Sequence, residues 1–149
     1  MEKRDLIDRI FIGICALTLL SVFLPCDELD KIKGGITTPS YNSILDGKIG
    51  FVYLVFPIAV FFLIVLGKRV IASVIGIITA IVNACTIYFF WDASEYAVNV
   101  FKTGSRLADF YNMMGYDGCV HVYPVGFYIA IAAVVLMVLI SIVNLVIKD

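Results

Sequence analysis

The chain has 149 residues, of which 62% are hydrophobic and 15% charged, and its formal net charge is −1. The mean hydropathy of +1.02 is outside the range of soluble domains and predicts one membrane domain, residues 1–149. A net charge near zero offers no basic surface for nucleic acid, and one His with four scattered Cys gives no metal-ligand spacing. Because the sequence also has no phosphate loop and no nucleophile motif, we expect no enzymatic activity, no cofactor and no metal.

The first predicted membrane span covers residues 6–25. The apolar run Ile10–Leu24 follows a charged start, a pattern that a cleaved signal peptide would share. Pro25 directly before Cys26 does not fit a lipoprotein signal, and no small-x-small cleavage site stands out. We therefore expect a retained helix.

The first connecting loop, residues 26–48, begins with acidic residues and contains turn signals at Gly34–Gly35 and Asp46–Gly47. The β-branched and aromatic residues of Ile36–Tyr41 favour strand, with Pro39 suited to an edge. Two interpretations stay open, a short irregular hairpin on the membrane surface and a plain polar loop.

The second predicted span, residues 49–66, is uncharged and contains Pro57, which predicts a kink. Gly67–Arg69 separates it from the third span. So short a connection predicts an antiparallel helical hairpin.

The third predicted span, residues 70–91, carries no charge and is long enough to cross a bilayer. Small side chains recur at every fourth position, at Ala72, Gly76, Ala80 and Ala84. They predict a face on which another helix packs closely. Asn83 in the same span is expected to hydrogen-bond to a neighbouring helix.

The second loop, residues 92–123, begins with an amphipathic pattern over Asp92–Asn112, which predicts a helical extension or a helix on the membrane surface. Cys119–Tyr123 alternates like a short strand. His121 is isolated in the sequence, so we expect a surface or partly satisfied residue rather than a metal ligand.

The fourth predicted span, residues 124–147, opens at Pro124, which suits the first turn of a helix. Gly126 and Ala130 belong to a second small face for helix packing. The predicted fold is an all-α integral membrane protein, a four-helix transmembrane bundle with an extracellular cap of short strands and an amphipathic helix.

Charge predicts a multi-pass protein of the cell membrane with both termini in the cytoplasm. Six basic residues flank the spans in short segments on the side of the termini: Lys3, Arg4, Arg9, Lys68, Arg69 and Lys148. This orientation places Cys26 and Cys119 in the two external loops, where disulfides are permitted, and we expect them to form a bridge. The alternative is two free thiols.

Four short segments carry a resemblance to known proteins: Ser21–Pro25, Leu45–Gly50, Gly67–Arg69 and Gly126–Tyr128. On these the chain resembles small bacterial four-span membrane proteins of uncharacterised function. Its layout is also similar to that of claudins, which implies two external loops, a tight internal turn and strands above the membrane. The Trp and paired-Cys signature of the first claudin loop is absent, so the resemblance implies no junctional role.

Three functions compete. The first is a non-enzymatic scaffold or accessory protein whose cap contacts a partner, such as an envelope-complex subunit, a toxin that an immunity protein blocks, or a second copy of the chain. The second is a small transporter or channel, against which stands the lack of an ionisable residue deep in any span. The third is a thiol oxidoreductase, which would need a reactive cysteine pair in the loops.

Overall fold

The computed structural model describes residues 3–103, 112–113 and 115–147. The helices are α1 (Lys3–Phe23), α2 (Val52–Val65), α3 (Arg69–Thr103) and α4 (Val125–Val146), and the strands are β1 (Pro25–Lys33), β2 (Ile36–Ser43) and β3 (Gly118–Val122). Helix α1 packs against α2 and α4, and α3 packs against the same two helices. Helices α1 and α3 therefore lie diagonally across one bundle.

Three of the helices, α1, α3 and α4, are long and apolar enough to cross a membrane. Helix α2 is shorter, with 14 residues, and covers roughly 21 Å where the hydrocarbon core of a bilayer measures about 30 Å. The predicted span at 49–66 is longer than the helix because the chain before it is in turns. Gly50 there has a φ of +55°, which ends regular helix on that side.

The predicted tight turn between the second and third spans is a glycine-capped helix end. Gly67 has a φ of +70°, its N–H bonds to the Ile64 carbonyl at 3.0 Å, and the Lys68 N–H bonds to the Leu63 carbonyl at 2.8 Å. This bonding pattern satisfies the last carbonyls of α2 and reverses the chain into α3.

Helix α3 runs without a break through the predicted membrane exit at Trp91. Its 35 residues extend roughly 52 Å, well beyond a bilayer core. The predicted amphipathic helix is thus a continuation of the third span as far as Thr103. Its remainder, residues 104–111, lies outside the described residues.

The small face of α3 packs into the bundle over Ala72, Gly76 and Ala80, which are all buried. A Cβ at Gly76 would stand 2.5 Å from Ser141 Oγ on α4, so the helices approach closely there. Ala84 is exposed, in a groove that it lines together with Ile131 and Val135 of α4. Successive steps of four residues drift by about 40° each, which turns Ala84 about 120° away from Ala72.

The polar contacts between helices differ from the prediction. Asn83 is buried, but its Oδ1 has no hydrogen-bond partner among the described residues. Asn144 of α4 makes the interhelical bonds instead, donating to Ser73 Oγ at 2.8 Å and to the Arg69 carbonyl at 3.1 Å. Arg69 also pairs with Asp8 of α1 at 2.8 Å, so three helices are joined at this end of the bundle.

The strands form one antiparallel sheet in the order β2-β1-β3. Gly34 and Gly35, with φ of +57° and +78°, make the turn between β1 and β2, so the predicted hairpin is confirmed over a plain loop. Helix α1 leads directly into β1, and β3 leads directly into α4. The sheet therefore stands at the end of the bundle where α1 ends and α4 begins.

Gly126 fixes the approach of α4 to the start of the sheet. A Cβ at this position would overlap the backbone carbonyl of Pro25 and stand 3.0 Å from the Leu24 Cβ. Ala130, one turn further on, is fully buried. These two predicted packing residues lie where α4 meets α1 and β1.

Candidate functional site

The candidate site is the cap, which we define as strands β1, β2 and β3 together with residues 92–103 of α3. Because side chains alternate along a strand, Asp27, Leu29 and Lys31 share one face of β1. His121 lies opposite Leu29 and Cys119 opposite Lys31 on β3, so both join this inner face. Helix α3 contacts β1 and β3 along it.

His121 is held between two carboxylates from different elements. Its Nε2 lies 2.8 Å from Asp27 Oδ1 of β1, and its Nδ1 lies 2.8 Å from Glu95 Oε1 of α3. The side chains of His121 and Asp27 are 5% and 3% exposed, while that of Glu95 is 37% exposed. The histidine thus fastens both neighbouring elements to β3.

Both ring nitrogens of His121 face a carboxylate oxygen. Ionised carboxylates only accept hydrogen bonds, so two such contacts require a proton on each ring nitrogen. An imidazolium between two carboxylates makes two charge-assisted bonds, which are stronger than neutral ones. Within the described residues, no group of three His, Cys, Asp or Glu side chains could hold a metal ion.

Further side chains extend this network to the bundle. Ser94 donates to Asp27 Oδ2 at 2.6 Å, and Trp91 Nε1 donates to the Tyr123 hydroxyl at 2.9 Å. The Tyr123 ring contacts the Phe127 ring of α4, with centroids 5.0 Å apart. We call this set the His121 network: Asp27, Trp91, Ser94, Glu95, His121 and Tyr123. It joins the sheet to α3 and, through the aromatic contact, to α4.

Acid should loosen the His121 network through Glu95. The hydrogen bond from His121 lowers the pKa of Glu95 below its ordinary value of 4.5. A carboxylate with a lowered pKa stabilises the fold above its unfolded pKa, and this stabilisation is lost as the pH falls through the folded pKa. We expect the fluorescence of Trp91, the one tryptophan of the chain, to change on acidification below the ordinary glutamate pKa of 4.5.

The Glu95→Gln variant is the control for this titration. Its side chain cannot ionise, so the part of the fluorescence change that Glu95 causes should be missing. An identical titration curve in the variant would assign the acid response to another carboxylate.

A cavity of about 260 Å³ lies between the inner face of the sheet and α3. The helix contributes a mostly apolar wall, to which Phe90, Ala93 and Ala97 belong. The strands contribute polar side chains, among them Lys31, Ser40 and Asn42. The cavity is therefore amphipathic, and the His121 network borders it through Asp27 and Ser94.

The predicted disulfide between Cys26 and Cys119 is not present, and both cysteines are free. Cys119 is opposite Lys31, five positions along β1 from Cys26. At about 3.3 Å per residue the two cysteines are roughly 17 Å apart along the strand, far beyond the reach of a disulfide. Strand pairing thus brings the two loops together in a register that separates the thiols.

Neither thiol is activated. Burial raises the pKa of Cys26 to about 12, with the neighbouring Asp27 adding to the effect. Burial also raises the pKa of Cys119, against a smaller opposite effect of Lys31. Since the thiolate is the nucleophile, both groups are weakly reactive at neutral pH.

The free state of the cysteines can be tested by counting the alkylation labels that the chain takes up. Alkylation of the unfolded chain without reductant should add four labels, one for each cysteine of the sequence, including Cys15 and Cys85. The measurement is the intact mass, compared with a sample that was first reduced. Two labels fewer in the unreduced sample would restore a disulfide.

The sequence did not identify the site. His121 looks isolated in the sequence because its partners Asp27 and Glu95 lie 94 and 26 residues away in the chain. One available signal was the alternation of Cys119–Tyr123, which places His121 and Tyr123 on one strand face. Compared with known proteins, the chain matches no family model, no curated protein and no solved structure.

Proposed function

We propose that this chain is a non-enzymatic accessory or scaffold protein of the cell membrane whose cap binds a partner protein outside the cell. In this proposal α2 is a fourth, shorter span, accommodated by its flanking turns and by local thinning of the bilayer. Both termini then lie in the cytoplasm, as the basic residues near them favour. The partner is a component of the cell envelope, an envelope-directed toxin or a second copy of the chain.

The observation that carries the proposal is the fastening of the sheet by the His121 network. Three strands alone have a small core, and here buried charge-assisted bonds attach them to a helix that is itself part of the bundle. A surface that is ordered before binding loses less conformational entropy when a partner binds. The cap is thus suited to recognition.

The outer face of the sheet offers a surface for such contact. Tyr41 on β2 and Val120 on β3 are each about half exposed there, at 54% and 50%. In the sheet order, β2 and β3 each have one edge without a neighbouring strand among the described residues. Free strand edges can pair with an extended segment of another protein.

The state of the thiols supports a role without thiol catalysis. An oxidoreductase needs a thiolate at neutral pH and a second cysteine within reach. The raised pKa of Cys26 and the register that separates it from Cys119 oppose both requirements.

Affinity purification in mild detergent tests the proposal. The tagged chain should recover one protein in stoichiometric amount, and Tyr41→Ser with Val120→Ser should reduce that recovery. The matched control is Leu66→Ser, since Leu66 is 69% exposed at the opposite end of the bundle. Equal recovery with the cap variant and the control would contradict recognition by the outer face, and purification of a lone monomer would contradict the function.

Transport remains the alternative, and one feature of the bundle favours it. Thr18, Asn83 and Ser141 are fully buried between the helices, and each has a polar atom without a hydrogen-bond partner among the described residues. Such atoms in a membrane interior can line a path for polar solutes. Solute flux into proteoliposomes that is lost in Asn83→Leu would favour this function over the scaffold.

A further inference from the structure

We propose that the cavity of the cap is a binding site for a small amphipathic anion, an apolar body that carries a carboxylate or phosphate group. This goes beyond the contact with a partner protein, which uses the outside of the cap.

The two walls of the cavity differ in polarity. Phe90, Ala93 and Ala97 follow one another at helical spacing on α3 and present an apolar surface. Across from them, Ser40 and Asn42 stand on β2 with groups that can donate hydrogen bonds. A ligand that fits both walls has an apolar side and a side rich in acceptors.

The charges that border the cavity select an anion. Asp27 is engaged at both oxygens, Oδ1 by His121 and Oδ2 by Ser94, so both of its acceptor atoms are already occupied within the protein. Lys31 has no ion pair among the described residues, and its ammonium lies 5.4 Å from the centre of the Tyr116 ring. A cation–π contact leaves the ammonium able to bind an anionic oxygen.

The dimensions limit the size of the ligand. The volume of about 260 Å³ is below the roughly 300–1,000 Å³ of sites for drug-sized molecules. Phe90, which lines the cavity, immediately precedes Trp91 at the predicted membrane boundary, and in the proposed orientation this places the start of the cavity at the height of the lipid headgroups. The anion is therefore either a free molecule or the headgroup of an anionic phospholipid.

Cys119 provides a native reporter, because it lines the cavity. The full chain in nanodiscs of zwitterionic lipid is treated with iodoacetamide, and the alkylation of each cysteine is followed by peptide mass spectrometry. Three probes of similar shape are compared, phenylpropionate, phenylpropionamide and phenylpropylamine. At about ten times its Kd, phenylpropionate should slow the alkylation of Cys119 about tenfold, while Cys85 is unaffected.

The variants assign the effect to Lys31. Lys31→Gln should abolish the protection, and Lys31→Arg should retain it because the charge is kept. Lys48→Gln is the matched control, since Lys48 also lies over an aromatic ring, that of Phe89, but outside this cavity. The three probes on the unaltered chain test the charge preference even if Lys31→Gln fails to fold.

A further arm distinguishes the two sources of the anion. Nanodiscs that contain an anionic phospholipid should protect Cys119 without any probe if a headgroup is the ligand, and unchanged alkylation there assigns the site to a free anion. Equal protection by the carboxylate, the amide and the amine would overturn the proposal. So would the absence of protection by every probe and by the anionic lipid.

Discussion

Replacing His121 with glutamine is expected to detach the sheet from α3 and to destabilise the cap by about 3 kcal/mol. Removing one partner of a buried ion pair leaves the other charge without compensation, which typically costs about 3–5 kcal/mol. Most of the cost falls on Asp27, which is 3% exposed, because Glu95 at 37% exposure can be solvated. The expected cost is therefore at the lower end of this range.

The measurement is local to the cap. Hydrogen exchange of the β3 amides and alkylation of Cys26, which is 2% exposed, both require the sheet to open. A loss of about 3 kcal/mol should speed both processes by roughly a hundredfold. The helices of the bundle should keep their exchange rates, since the network lies at one end of them.

Two further variants show whether the charge is responsible. Tyr123→Phe removes a hydroxyl from the edge of the same network and should cost about 1 kcal/mol or less. Asp27→Asn combined with His121→Gln should be less damaging than His121→Gln alone, because no buried carboxylate is left unpaired. Unchanged exchange of β3 in the His121→Gln variant would show that packing, and not this network, holds the sheet.

The helices could be predicted because a segment that crosses lipid needs apolar side chains over its whole length and backbone hydrogen bonds within itself. Long uncharged runs predict α1, α3 and α4, and the glycine at Gly67 predicts where α2 must reverse. The predicted second span was longer than α2 because hydropathy carries no information about backbone conformation. The residues before Val52 are apolar enough for a span, yet Gly50 takes a positive φ there.

The predicted face of small residues on α3 is buried at Ala72, Gly76 and Ala80 and exposed at Ala84. A repeat of four residues approximates a turn of 3.6, so the error grows with distance. Gly76 lies against Ser141 of α4, whereas Ala84 is exposed in a groove that it lines together with Ile131 of the same helix. A helix of 35 residues cannot be described by one such repeat.

The candidate site could not be predicted because it depends on strand pairing between distant segments. Asp27 was assigned to an acidic loop and His121 to an isolated position, and the pairing of β1 with β3 brings them to 2.8 Å. The same register separates Cys26 from Cys119. Membership in the external loops was not enough to predict a disulfide, since a shift of five residues decides whether two side chains meet.

The junction of α1, β1 and α4 should be the most sensitive point of the backbone, and Gly126→Ala tests it. The added Cβ would overlap the Pro25 carbonyl, which belongs to backbone and cannot rotate away as a side chain could. Overpacking of this kind costs about 1–3 kcal/mol, and here the shift would also displace β1 from the bundle.

The matched control is Gly13→Ala on α1, where nothing lies within 4 Å of the added carbon. That control should be neutral or stabilising by up to about 1 kcal/mol, since alanine favours helix over glycine. Thermal unfolding of both variants in one detergent separates close packing at Gly126 from a general effect of glycine replacement, and equal stability of the two would contradict the contact with Pro25.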